Sequence, residues 1–119
     1  MRLEALADAI ASINSYHSPE STAYSLRNPG MIPASTRKEQ PHNEDGIRSF
    51  SCHRAGYQAL LDVLIKRVGN FPNETLTQTL KIFGGLYEKQ KAEAVDFIGR
   101  ALNTNQVSQD TTLSFFLEK

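Results

Sequence analysis

Ala55-Gly56-Tyr57-Gln58-Ala59-Leu60-Leu61-Asp62-Val63-Leu64-Ile65-Lys66-Arg67-Val68-Gly69-Asn70 is the stretch that decides the fold class. Tyr57, Leu60, Leu61, Leu64, Ile65 and Val68 recur at intervals of three and four, the spacing of one face of an α-helix. Ala55 and Gly56 permit close packing at its start, Ser51 is the expected N-cap, and Gly69-Asn70 the stop. The pattern predicts a core helix at the centre of a helical domain.

The same period extends outward from it. Leu3, Leu6, Ala7, Ile10 and Ile13 predict a first helix from about Leu3 to Ser15, with Glu4, Asp8 and Ser12 on the opposite face. Ser18-Pro19-Glu20 has the residue order of a helix start, and Asn28-Pro29-Gly30 stops that second, short helix near Leu26. After Phe71-Pro72, Asn73 is the expected cap of a helix carrying Leu76, Leu80 and Phe83, which Gly84-Gly85 ends. A fifth helix, about Lys89 to Leu102, is expected to bury Ala94, Val95, Ile98, Ala101 and Leu102. Asp110 would cap a last short helix with Leu113, Phe116 and Leu117.

Between Asn28 and Gly46 the chain changes character. Pro29, Gly30, Pro33, Pro41 and Gly46 interrupt it, and Arg37, Lys38, Glu39, Glu44 and Asp45 make it polar. Met31-Ile32 and Ile47 to Phe50 flank this segment, which predicts a small β-hairpin near residues 30–50 that turns at Glu44-Asp45-Gly46. The fold class is therefore mainly α (α+β), about six helices and one small hairpin, in a single domain over residues 1–119.

Composition narrows the function classes without choosing one. Of 119 residues, 39 % are hydrophobic and 22 % charged, enough apolar material for one modest core. Thirteen Lys plus Arg balance thirteen Asp plus Glu, which argues against a general electrostatic grip on nucleic acid or anionic membrane. One cysteine, Cys52, excludes an internal disulfide framework and any multi-cysteine metal knuckle. His17, His42, Cys52 and His53 have no metal-ligand spacing, so no metal or other cofactor is expected. No apolar run approaches the ~18 residues of a membrane span. The opening Met1-Arg2-Leu3-Glu4-Ala5-Leu6-Ala7-Asp8 carries acids where a secretory signal would not. The expectation is a protein cytoplasmic as synthesised that reaches a virion or the exterior by another route. Asn73-Glu74-Thr75 matches the N-glycosylation pattern but reads here as a helix start.

The order of several short motifs adds more than any one of them. The first helix ends in Ile13-Asn14-Ser15-Tyr16; Pro19 follows, then Asn28-Pro29-Gly30, then Asp45-Gly46-Ile47-Arg48-Ser49-Phe50, then Ala55-Gly56-Tyr57-Gln58-Ala59-Leu60-Leu61. Downstream come Asn73-Glu74-Thr75-Leu76, Val95-Asp96-Phe97-Ile98 and Val107-Ser108-Gln109-Asp110. This order resembles the small lysozyme-like domains of phage virions and prophages, related to lytic transglycosylases and muramidases. In that family the first helix ends in Glu-Gly-aromatic, an Asn-Pro-Gly opens a hairpin, and a later helix starts with Gly-x-x-Ala-Leu. The resemblance spans nearly the whole chain.

It fails at the residue that matters most for catalysis. The family's glutamate, its general acid, falls on Asn14, and an amide has no proton to give a leaving glycosidic oxygen. The family glycine is Ser15, while the aromatic is kept as Tyr16; the family's downstream tryptophan is missing, since the chain has none. The resemblance implies a cleft in which Asn14, Tyr16, Arg27, Asn28, Arg48 and Tyr57 meet a glycan, with Glu20 the nearest acid that could replace the lost one. Against that, an acid in the first turn of a helix is held as its anion, and Glu39, Glu44 and Asp45 lie in polar loop sequence. Three readings stay open. One is a disarmed lysozyme-like domain acting as a structural or glycan-binding component, with peptidoglycan or phage and bacterial structural proteins as partners. The second is an active muramidase or lytic transglycosylase using Glu20, and the third a helical protein-interaction domain.

Overall fold

Alternating alanines put the first helix, not the third, at the centre of the molecule. In α1 (Arg2–Ile13) Ala5, Leu6, Ala7, Ala9, Ile10, Ala11 and Ile13 are all buried. The small side chains let neighbours approach it from several directions, and α1 packs against α3 (His53–Asn70), α5 (Glu88–Ala101) and a closing 3-10 helix (Leu113–Leu117). The 18-residue α3 buries only Gly56, Leu60, Leu64 and Val68. Its stripe is narrower than the sequence pattern suggests: Tyr57 and Leu61 are partly covered, and Ile65 is 56 % exposed.

Two shorter helices, α2 (Thr22–Ser25) and α4 (Leu76–Ile82), complete the order in a computed structural model that describes residues 2–34 and 40–117. The described chain is mainly helical, and one apolar cluster joins α1, α3, α4, α5 and the 3-10 helix through Leu6, Ile10, Leu60, Leu64, Leu76, Leu80, Ile98 and Leu113. Truncating any of these fully buried leucines to alanine costs about 2–5 kcal/mol. No helix among the described residues is long and apolar enough to cross a membrane.

Several helix ends differ from the sequence expectation because capping follows local hydrogen-bond geometry. The second helix begins at Thr22 rather than at Pro19: Ser21, not Ser18, is the cap, and its hydroxyl accepts the Tyr24 N–H. Residues 15 to 21 are instead taken up by successive turns, Ser18 N–H to the Ser15 carbonyl and Ser21 N–H to the Ser18 carbonyl. Cys52 replaces Ser51 as the cap of α3, its sulfur accepting the Ala55 N–H. Thr75 replaces Asn73 at α4, closing a reciprocal capping box with Gln78. In α5, Ala101 is exposed and Leu102 only partly covered, whereas Lys91 is buried. The closing helix buries Leu113 and Phe116 and leaves Leu117 exposed.

The expected hairpin is reduced to isolated antiparallel bridges, Pro33 with Ile47 and His42 with Arg48; no longer strand occurs among the described residues. The turn itself lies near its expected place. Gly46 N–H donates to the Asn43 carbonyl, the Asn43 side chain accepts from Asp45 N–H and Ile47 N–H, and Gly46 has φ +77°. Arg37, Lys38 and Glu39 lie outside the described residues.

Candidate functional site

Asn14 follows the last residue of α1 and joins three parts of the chain. Its Nδ2 donates to the Pro29 carbonyl and to the Phe83 carbonyl, both at 2.9 Å. The end of α1, the Asn28-Pro29-Gly30 loop and the end of α4 are thereby held together by one amide. Both of its N–H bonds are used, so the group at position 14 is a structural brace.

The chain leaves that brace in a conformation usually given to glycine. Ser15 has φ +57°, and Gly84, packed against the Asn14 side chain, φ +101°. A β-carbon at position 84 would lie 2.2 Å from Asn14 Oδ1. Gly56 plays a similar part at the start of α3, where a β-carbon would meet the Arg27 carbonyl oxygen at 1.7 Å.

Asn28 is fully buried and consumed by the same loop. Its Nδ2 donates to the Ile32 and Arg48 carbonyls at 2.9 and 2.8 Å, and its Oδ1 accepts from Ile32 N–H at 2.9 Å. This residue positions the loop from inside and presents nothing to a ligand. Arg48 lays its guanidinium over the Phe50 ring, 4.4 Å from the centroid, and its buried Nε has no hydrogen-bond partner among the described residues. Arg27 is exposed, with φ +54°. Glu20 is exposed as well, in the turn before α2, and lacks the partly apolar cleft that would turn a carboxyl into a general acid.

Tyr16 and Tyr57 are the sequence-selected residues that the fold brings to one place. Together with Asp8, Ala11, His17 and Phe97 they line a groove of about 300 Å³. The groove takes Asp8 and Ala11 from α1, Tyr57 from α3 and Phe97 from α5. The Tyr57 hydroxyl donates to Asp8 Oδ1 at 2.7 Å. Burial, that bond and the neighbouring charges of Asp8 and Glu4 hold the phenol well above its ordinary range. The Tyr16 hydroxyl shares a hydrogen bond with His53 Nδ1, and its ring contacts those of His17, Tyr24 and His53. Partial burial and then the proximity of Tyr24 raise the Tyr16 phenol too. Among the described residues no three His, Cys, Asp or Glu side chains assemble a metal-ligand set.

Sequence reasoning missed Asp8 as a site residue and Phe83 and Gly84 as the partners of Asn14. Asp8 and Tyr57 are 49 positions apart on different helices, so no local spacing could pair them. No family model matches the chain, and no curated protein and no solved structure matches it.

Proposed function

We propose that this chain is a lysozyme-like unit without a general acid, serving as a structural or glycan-binding component of a phage or bacterial assembly. The observation that carries the reading is the brace at Asn14: at the position where the resembled family places its glutamate, both N–H bonds are spent on backbone carbonyls. A group committed to Pro29 and Phe83 cannot protonate a leaving oxygen, and an amide has no acidic proton to offer.

Four local features support the likeness. Ser15 occupies a left-handed conformation where the family has glycine. The Asn-Pro-Gly segment packs against the end of α1 through Asn14. Gly56, at the family's helix-opening glycine, is required by contact with the Arg27 carbonyl. The bridges at Pro33–Ile47 and His42–Arg48 stand where the family hairpin would be. Loss of the acid alone removes on the order of 10²–10⁴ in rate.

A turbidity assay on bare cell walls tests the proposal, run beside a pelleting assay for binding. Wild-type protein is expected to release no soluble fragments. Lysis by the wild type that disappears in Glu20→Gln would overturn the reading in favour of a relocated acid. Activity in Asn14→Glu, absent from the wild type, would demonstrate the lysozyme-like site directly. Pelleting with cell walls separates the glycan-binding role from the purely structural one.

A further inference from the structure

The groove between α1, α3 and α5 shares Tyr16 and Tyr57 with the glycan reading, but its carboxylate and its other two rings have a chemistry that reading does not use. Its walls include the rings of Tyr16, His17, Tyr57 and Phe97, its floor Ala11, and its one carboxylate is Asp8. Among the described residues no Lys or Arg lines it, and the exposed Arg27 lies near enough to Tyr16 to act on its phenol. We infer that this groove binds a small organic cation, an alkylated ammonium group seated against the aromatic rings with its charge facing Asp8.

The alternatives are disfavoured by the same residues. A neutral apolar ligand would desolvate the Asp8 carboxylate without compensating it. An anion would meet Asp8 and, one turn earlier on α1, Glu4, whose charge also acts on Tyr57. A hard divalent ion wants six or more oxygen ligands, whereas the lining offers one carboxylate and two phenols. An alkylammonium needs neither an oxygen shell nor a matching anion. Its methyl surface packs on ring faces, and the π quadrupole and a nearby carboxylate both favour its charge. The Tyr57 hydroxyl bond to Oδ1 fixes the orientation of the carboxylate at the groove. A volume of about 300 Å³ suits a small molecule. This inference does not depend on the lysozyme likeness.

The test is a titration of the full chain followed by amide chemical shifts, at constant ionic strength. Tetramethylammonium is the probe, with tert-butanol as its neutral counterpart of similar shape and tri-N-acetylglucosamine as a sugar control. Tetramethylammonium is expected to shift the amides of Asp8, Ala11, Tyr16, Tyr57 and Phe97 saturably, at least about fivefold more tightly than tert-butanol. Asp8→Asn, which keeps an acceptor for Tyr57, should erase that preference, and Phe97→Leu should weaken the cation about fivefold while the groove stays apolar. Equal affinity for cation and alcohol, no saturable shift with the cation, or tighter binding of the sugar to these same amides would overturn the inference.

Discussion

Gly84 Cα packs directly against the side-chain oxygen of Asn14, leaving 2.2 Å between Oδ1 and the place a β-carbon would take. The amide nitrogen of the same residue bridges the Pro29 and Phe83 carbonyls. One side chain therefore fixes the identity of a residue seventy positions later and the junction of three chain segments.

Gly84→Ala is expected to lose about 3 kcal/mol, from the clash with Asn14 and the strain of an L-residue at φ +101°. In the Asn14→Ala background the clash is gone, so the loss should shrink to the strain alone. Denaturant midpoints of the four proteins of this cycle check it. Strict additivity would show that the two residues do not meet.

Asn14→Asp replaces the NH2 group, with its two N–H donors, by one oxygen facing two carbonyls. It should cost about 2–4 kcal/mol at neutral pH. The variant carboxyl is held above its unfolded value of about 3.9, because only its protonated form can donate here. The variant is thus most stable below that value and weakens as pH rises through the folded-state pKa. Stability that is flat between acidic and neutral pH, relative to wild type, would refute the brace.

Ser15→Gly is the opposite experiment. With φ at +57°, glycine removes a left-handed strain of about 1 kcal/mol, and a raised melting temperature is expected. A lowered one would mean that the serine side chain contributes more than the backbone strain costs.

Glu74 sets an acid limb. Hydrogen bonds from Arg67, opposed by partial burial and helped by Thr79, hold its carboxyl below the ordinary range. Its stabilising contribution is present above the unfolded value of about 4.3 and is lost as pH falls through the folded one. Glu74→Gln should lower stability at neutral pH and flatten the acid side of the profile, measured by urea unfolding at a series of pH values.

Tyr57 sets the alkaline limb with the opposite sign. Its raised phenol contributes stability below about pH 10 that is lost as pH climbs toward the folded value. Ultraviolet titration of tyrosinate should show two of the four tyrosines, Tyr16 and Tyr57, ionising late, Tyr57 the later, and Tyr57→Phe should remove that last component. A Tyr57→Phe protein that keeps the last component would assign it elsewhere.

The sequence by itself determined the helices, because apolar period and turn residues act over a few positions. Leu60, Leu64 and Val68 mark the buried stripe of α3, Gly84-Gly85 ends α4, and Asn14 stands at the end of α1 without a titratable group. The helix pattern also singled out Gly56 as a point of close packing. What the sequence left undecided depends on contacts between distant segments. The central place of α1 follows from alanines whose small size matters only once α3 and α5 lie beside it. Asn28 reads as a cleft residue until its carbonyl partners at Ile32 and Arg48 bury it. The brace at Asn14 needs Phe83, 69 residues away, and the groove needs Asp8, Tyr57 and Phe97 from three helices. Local preference writes the elements into the chain. Only packing, which pairs residues without regard to their separation, decides which side chains are spent on the fold and which remain to meet a ligand.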